Sequence, residues 1–165
     1  MKSCVIVIPI HSPSPSKNEL ISFEQCFRTL NHHPIIVLAP ANLNLGKFKE
    51  VIPDFKIISI DPIWQSSLFQ YNKLKISDFF YDLFKNYTYL LTYELDAFVF
   101  KDELEYWCNK GYDYIGAPWF EGLEFPTSTN IIGVGNSGFS LRNVKSSIRI
   151  VNRIGFLKKN QKILV

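Results

Sequence analysis

At 165 residues, 47% of them hydrophobic and 15% aromatic, the chain is long enough to bury a sizeable core and too apolar to be disordered. No stretch approaches the ~20 apolar residues of a membrane-spanning helix, and a net charge of +3 gives no case for nucleic acid. Three cysteines, Cys4, Cys26 and Cys108, form no CxxC pair and read as reduced structural thiols, which points to a cytoplasmic protein.

The N-terminal run is dense in β-branched residues, broken by Pro9 and without a small-residue cleavage site, so Val5–Ile10 reads as a buried strand rather than a signal peptide. "HSPSPS" closes it. Ser16-Lys17-Asn18-Glu19 fits a capping box, in which a serine hydroxyl and a glutamate three residues on satisfy helix-start N–H groups. Leu20, Phe23, Phe27 and Leu30 give the following helix one apolar face, and Asn31–Pro34 stops it. Ile35–Ala39 is a second buried strand, and Phe55–Ile60 a third, ended by Asp61-Pro62. A helix is expected over Asn72–Lys85 with Leu74, Phe80, Leu83 and Phe84 inward, then a fourth strand over Tyr87–Tyr93. The sequon Asn86-Tyr87-Thr88 has meaning only in a secreted chain.

Apolar strands alternating with helices predict an α/β fold around a mostly parallel central sheet flanked by helices. No repeat or linker divides the sequence, so residues 1–165 read as one domain. In such sheets ligands bind beyond the carboxyl ends of the strands. The loop His11–Ser16 and the pair Glu94 and Asp96 lie at such ends.

Glu94 and Asp96 stand one residue apart in the otherwise apolar "TYELDAFVF". Burying an unpaired carboxylate costs several kcal/mol, roughly, so partners are expected. In an extended segment both would project to one side, about 6.5–7 Å apart. A glycosidase pair must flank its bond from opposite sides, which suits neighbours on one strand poorly. Two readings remain open: a structural role, capping backbone N–H groups or pairing with a lysine, and a Mg²⁺ or Mn²⁺ site shared with substrate phosphates.

"GVGNSG", Gly133 to Gly138, matches G-x-G-x-x-G literally. A dinucleotide site needs a helix there and an acidic residue about 20 positions on. The glycines lead instead into "FSL", which reads as a strand, and no acidic residue follows. "GAPWFEG" reads as a loop whose Trp119 and Phe120 can stack on a sugar ring or cover the core. After Glu124 there is no Asp or Glu, while Arg142, Lys145, Arg149, Arg153, Lys158, Lys159 and Lys162 follow. This basic stripe suits a membrane surface or an anionic acceptor; the commoner alternative is a solvated helix face.

"YELDAFVFKDELEYWCNKGYDYIGAPWF" followed by "GVGNSGFSLRNV" resembles a family of domains of unknown function with features of GT-A-type glycosyltransferases. "IPIHSPSPSKNELISFEQCFRTLNHHPIIVLAP" and "YNKLKISDFFYDLF" resemble its earlier segments, so the likeness covers most of the chain. It implies a Rossmann-like GT-A-type fold and a metal-dependent enzyme. Its sugar would pass from a nucleotide-sugar donor to an unknown carbohydrate or lipid-linked acceptor. The acidic motif would hold Mn²⁺ or Mg²⁺; Gln is frequent in the family at the position of Glu94, so Asp96 is the firmer ligand. Pro9, His11 and Ser12 would border the nucleotide, with Asn72 and Lys73 approaching the nucleotide-sugar. Helix-start and loop polarity is the alternative for these.

The resemblance places Gly135, Asn136, Ser137 and Gly138 in a turn under donor sugar and acceptor, near Trp119; a simple tight turn is the alternative. It also implies a general base after that turn, where this sequence has no acid. Asp113 and Glu121 are the remaining nearby carboxylates, and the chain is expected to lack a C-terminal part of the family's domain. A nucleotide-sugar-binding remnant without turnover is therefore the alternative to an active enzyme. A cytoplasmic protein, peripheral to the inner face of the membrane through its basic C-terminal helix, is the expected setting.

Overall fold

The computed structural model describes residues 3–122, 125 and 127–161, and of residues 156–161 the backbone only. Strand β1 (Cys4–Pro9) leads through a proline-containing loop into helix α1 (Lys17–Thr29). The capping box forms as expected: Glu19 N donates to Ser16 Oγ at 3.2 Å, and Ser16 N donates to Glu19 Oε2 at 2.6 Å. Strand β2 (Ile35–Pro40), a short helix α2 (Gly46–Val51) and strand β3 (Lys56–Ile60) follow.

The expected helix over Asn72–Lys85 is two helices, α3 (Leu68–Lys75) and α4 (Asp78–Asp82). Ser77 breaks them, because its side chain caps the second by accepting from Phe80 N at 3.2 Å. A 3-10 turn at Pro62–Gln65 precedes α3. Strand β4 (Tyr89–Tyr93) is followed by α5 (Leu104–Asn109) and the short strand β5 (Tyr114–Gly116). "GAPWFEG" is not a loop: β5 ends in it, and β6 (Pro118–Phe120) pairs antiparallel with β7 (Ile131–Val134). The glycine segment then opens β8 (Phe139–Asn143), as its sequence implied, and α6 (Val144–Gln161) follows.

The six-stranded sheet has the order β3-β2-β1-β4-β8-β5. The first four strands in this order are parallel, while β8 runs antiparallel to both β4 and β5. Period-two alternation sends Cys4, Ile6 and Ile8 of β1 to one face and Val5 and Val7 to the other, all buried. Phe23, Phe48 and Leu104, from α1, α2 and α5, cover the first face. Leu74, Phe80 and Val144, from α3, α4 and α6, cover the second. No helix among the described residues is long and apolar enough to cross a membrane.

The chain leaves β1 toward β2 and β3, then returns to pair β4 with the opposite edge of β1. That reversal is a topological switch point, and such crevices form where two neighbouring strands send their loops apart. It lies between the carboxyl ends of β1 and β4.

Candidate active site

A crevice of ≈ 530 Å³ opens at this point. Pro9, His11 and Ser12 border it from the end of β1, and Glu94 and Asp96 from the end of β4. Gln65, Ser66, Ser67 and Tyr71 form the wall supplied by the 3-10 turn and α3.

The two carboxylates reach this crevice by different means. Strand β4 ends at Tyr93, and Ala97 N donates to Glu94 O at 3.0 Å, so the segment turns instead of staying extended. Backbone pairing still continues through Glu94, whose N–H donates to Gly138 O at 2.8 Å. Glu94 therefore keeps the strand's alternation and shares the face of Thr92, toward α3. There Tyr71 donates its hydroxyl to Glu94 Oε1 at 2.7 Å, and Lys75 Nζ lies 3.8 Å from the same oxygen. Asp96, beyond the turn, is exposed and has no hydrogen bond or ion pair among the described residues.

Lys75 is a buried cation of this region, only 4% exposed. It donates to Thr92 Oγ1 at 3.0 Å, Ser137 O at 3.3 Å and Tyr71 OH at 3.4 Å. Burial first, and then the nearby positive charge of Arg142, bring its pKa down to about 7 against the opposing pull of Glu94. The same burial, with the charge and hydrogen bond of Glu94, pushes the Tyr71 hydroxyl far above its ordinary range and keeps it a proton donor. Lys73, singled out from the sequence, is exposed, and its Nζ lies 4.5 Å over the Phe69 ring. Asn72 borders a different cavity, on the side of α6. One helical residue matters here: i and i+4 put Tyr71 and Lys75 on a shared face, and Lys73 points elsewhere.

Asn136 shapes the glycine turn: its Oδ1 accepts from Gly138 N at 2.9 Å and Phe139 N at 3.3 Å. Tyr114 donates its hydroxyl to Asn136 O and pins the turn to β5. A Cβ on Gly138 would sit 2.9 Å from Glu94 Oε2, and one on Gly135 would meet the Trp119 ring at 2.5 Å. The turn thus packs directly on the acidic corner, and Trp119 packs on the turn. Ser137 contributes its carbonyl to Lys75.

The other two carboxylates are engaged elsewhere. Asp113 accepts from Ser146 Oγ at 2.5 Å beside α6, and Glu121 accepts from Ser128 Oγ at 2.8 Å in the β6–β7 hairpin. Arg142, counted with the basic C-terminal stripe in the sequence, is buried on β8; Lys145, Arg149 and Arg153 are exposed on α6. The Lys158 and Lys159 side chains and all of Lys162 lie outside the described residues.

Sequence reasoning missed Tyr71, Lys75, Gln65 and Arg142. For Tyr71 and Lys75 the signal was present, an i, i+4 pair running into the strand that carries the acids. Gln65 had none. Its Oε1 is buried without a partner among the described residues, while Nε2 donates to Leu38 O at 3.4 Å.

A mostly parallel sheet of this order, with an acidic crevice at its switch point, defines a GT-A-like α/β fold. The chain belongs to the family described as protein of unknown function DUF5672, whose model matches residues 54–163. Among solved structures, core-mannan synthase A from Aspergillus fumigatus, in an Mn/GDP form, aligns with a TM-score of 0.53 at 13% identity, covering 93% of this chain and 64% of that one. The chain thus spans about two thirds of that relative's length. The 4-diphosphocytidyl-2C-methyl-D-erythritol synthase of Anaerococcus prevotii aligns with a TM-score of 0.49 at 11% identity, over 93% of this chain and 76% of that one. No curated protein matches the chain.

Proposed function

We propose that the protein is a glycosyltransferase that moves a sugar from a nucleotide-sugar donor to a carbohydrate or lipid-linked acceptor, with a divalent cation at Asp96. The observation that carries this reading is Asp96, a carboxylate unengaged among the described residues, on the wall of a ≈ 530 Å³ crevice at the switch point of a mostly parallel sheet. The donor set suits Mn²⁺ or Mg²⁺. Such ions take one or two carboxylates and fill their remaining positions with water and substrate phosphates. No group of three His, Cys, Asp or Glu side chains stands ready to hold a metal among the described residues, so the proposed ion would depend on water and substrate oxygens for its remaining positions. The likeness to a fold described in an Mn/GDP form agrees with this ligand class.

When bound, the ion supplies charge neutralisation for the leaving diphosphate. The chain's own residues do the rest. Asp96 is the ligand, and Glu94 supports it from below while held by Tyr71 and Lys75. Pro9, His11 and Ser12 border the nucleotide, and the orphan Gln65 Oε1 accepts an N–H or O–H from it. The turn Gly135–Gly138, shaped by the Asn136 side chain, lies under the sugar with Trp119 beside it. A cytoplasmic location with contact to the inner membrane face through Lys145, Arg149 and Arg153 completes the proposal.

Thermal denaturation with a panel of nucleoside diphosphates tests it. A Mn²⁺- or Mg²⁺-dependent rise in Tm is expected in the wild type and not in Asp96→Asn; no shift with any diphosphate overturns it. A second reading, a nucleotide-sugar-binding protein without turnover, is favoured by the engagement of Asp113 and Glu121 away from the crevice, which leaves neither as general base. Binding without sugar transfer or donor hydrolysis would establish that reading.

A further inference from the structure

A second cavity, ≈ 470 Å³, lies between α3, the glycine turn and α6. Two buried cations line it, Lys75 at 4% exposure and Arg142 at 8%. Arg142 has only neutral partners among the described residues: Nη1 donates to Tyr81 OH at 2.9 Å, Nε donates to Ser140 Oγ at 3.1 Å, and the guanidinium lies 5.8 Å from the Tyr114 ring centroid. Among the described residues it forms no ion pair with a carboxylate. Among the described residues Glu94 is the carboxylate paired with Lys75, at 3.8 Å, and it is already bonded to Tyr71. Asp113 borders the cavity but is turned to Ser146.

Hydroxyls solvate a buried guanidinium without neutralising it, and buried charges are ordinarily paired. Here, among the described residues, two buried cations stand against a single paired carboxylate, and it pairs with Lys75 alone. The planar fork of an arginine matches the oxygens of a phosphate or carboxylate in a bidentate manner, and a lysine adds a point charge. Asn72 and Ser147 add polar groups at the cavity wall. Gly135 and Ser137 also line the cavity, which joins it to the turn proposed to lie under the reacting sugar.

We infer that this cavity is a binding subsite for a phosphate-type oxyanion carried by the acceptor, held by Arg142 and Lys75 without a metal. The assignment to the acceptor rests on the transferase reading above; the anion site itself does not. Arg142 faces Lys75 from β8, Glu94 from the end of β4 and Tyr71 from its own helix, and an arriving anion adds the negative charge this set lacks.

The test is the thermal shift and titration calorimetry of inorganic phosphate and pyrophosphate on the full chain in EDTA. Either anion is expected to bind and raise Tm in the wild type. Arg142→Gln should weaken binding about tenfold or more, the loss of a charged hydrogen-bonding partner. Ser147→Glu, which leaves the buried cations in place and adds a carboxylate to the cavity wall, should do the same and serves if Arg142→Gln fails to fold. Asp96→Asn should bind phosphate like the wild type while losing metal-dependent nucleotide binding, so the two proposals fail separately. No binding to the wild type, or equal binding to Ser147→Glu, overturns the site. Loss of phosphate binding in Asp96→Asn, or its displacement by a nucleoside diphosphate with Mn²⁺, assigns the anion to the donor and overturns the acceptor claim.

Discussion

Tyr71 donates its hydroxyl to Glu94 at 2.7 Å, and this one bond separates the two acids of the E-x-D motif into different roles. Glu94 is tied to α3 through Tyr71 and Lys75, and to the glycine turn through its own N–H. Asp96, two residues on, is tied to nothing among the described residues and faces the crevice. An acid already satisfied by neighbours has less to offer a cation than one waiting in solvent, because a carboxylate's bonds must be exchanged for those of the ion.

Substitution should therefore split the motif. Asp96→Asn should weaken metal-dependent nucleoside diphosphate binding by tenfold or more, roughly, and leave the Tm of the free protein within a degree or so, since its side chain is exposed. Glu94→Gln keeps an acceptor for the Tyr71 hydroxyl and should cost about threefold or less in the same titration. Equal losses for the two variants would show that Glu94 is a direct ligand.

Lys75 makes a pH-dependent stability difference. Its pKa falls from 10.5 when exposed to about 7 in the fold, so between these values the unfolded chain binds more protons than the native one. Stability then rises with pH across that window, and the penalty of burying the charge acts in full below about pH 7. Tyr71, Glu94 and Arg142 are the groups facing it, and of these Glu94 alone favours the charge. Wild type should gain up to about 2 kcal/mol relative to Lys75→Met between pH 7 and 9 in phosphate-free buffer, by denaturant titration. Parallel curves for the two proteins would place the Lys75 pKa outside this range.

The capping box at α1 is a stability device beside the crevice. Glu19 borders the crevice while its carboxylate accepts from Ser16 N at 2.6 Å. Ser16→Ala should lower stability by about 1 kcal/mol through the lost bond to Glu19 N. Chemical denaturation at neutral pH measures it; an unchanged midpoint would show that the helix start is held by tertiary packing alone.

These contrasts mark what the sequence made legible. The strands β1, β2 and β4 are largely apolar runs, so their positions and their burial on both faces follow from composition, whereas β3 at the sheet edge is mostly exposed. The switch-point crevice follows in turn from their alternation with helices. The capping box is a local pattern and was readable as such. The break at Ser77 was not, because Leu74 and Phe80 keep an inward apolar face across it and periodicity hides the cap. The partners of Glu94 were hidden for another reason. The i, i+4 spacing brings Tyr71 to Lys75 within α3, but Thr92, Ser137 and Arg142 meet Lys75 only when α3, β4 and β8 have assembled, and no spacing along the chain encodes that meeting. The antiparallel insertion of β8 between β4 and β5 brings Arg142 inward, whereas its sequence neighbours Lys145 and Arg149 suggested a surface stripe.

Trp119 and Gly135 supply the last prediction. Trp119 stands on β6, paired with Gly133 of β7, and its ring lies where a Cβ on Gly135 would come within 2.5 Å of Cη2 and 2.9 Å of Cζ2 and Cζ3. Real side chains do not tolerate such approaches, so Gly135→Ala must move the indole. The ring is 44% exposed and has solvent to move into, so the cost to folding should stay near 1 kcal/mol, the low end for overpacking. The displaced indole leaves the glycine turn, where the proposed sugar site lies. Acrylamide quenching should show a more accessible tryptophan in Gly135→Ala than in the wild type, and donor binding should weaken. A quenching profile identical to the wild type would mean that the backbone shifts instead, and the turn rather than the indole would then be the adaptable element at this site.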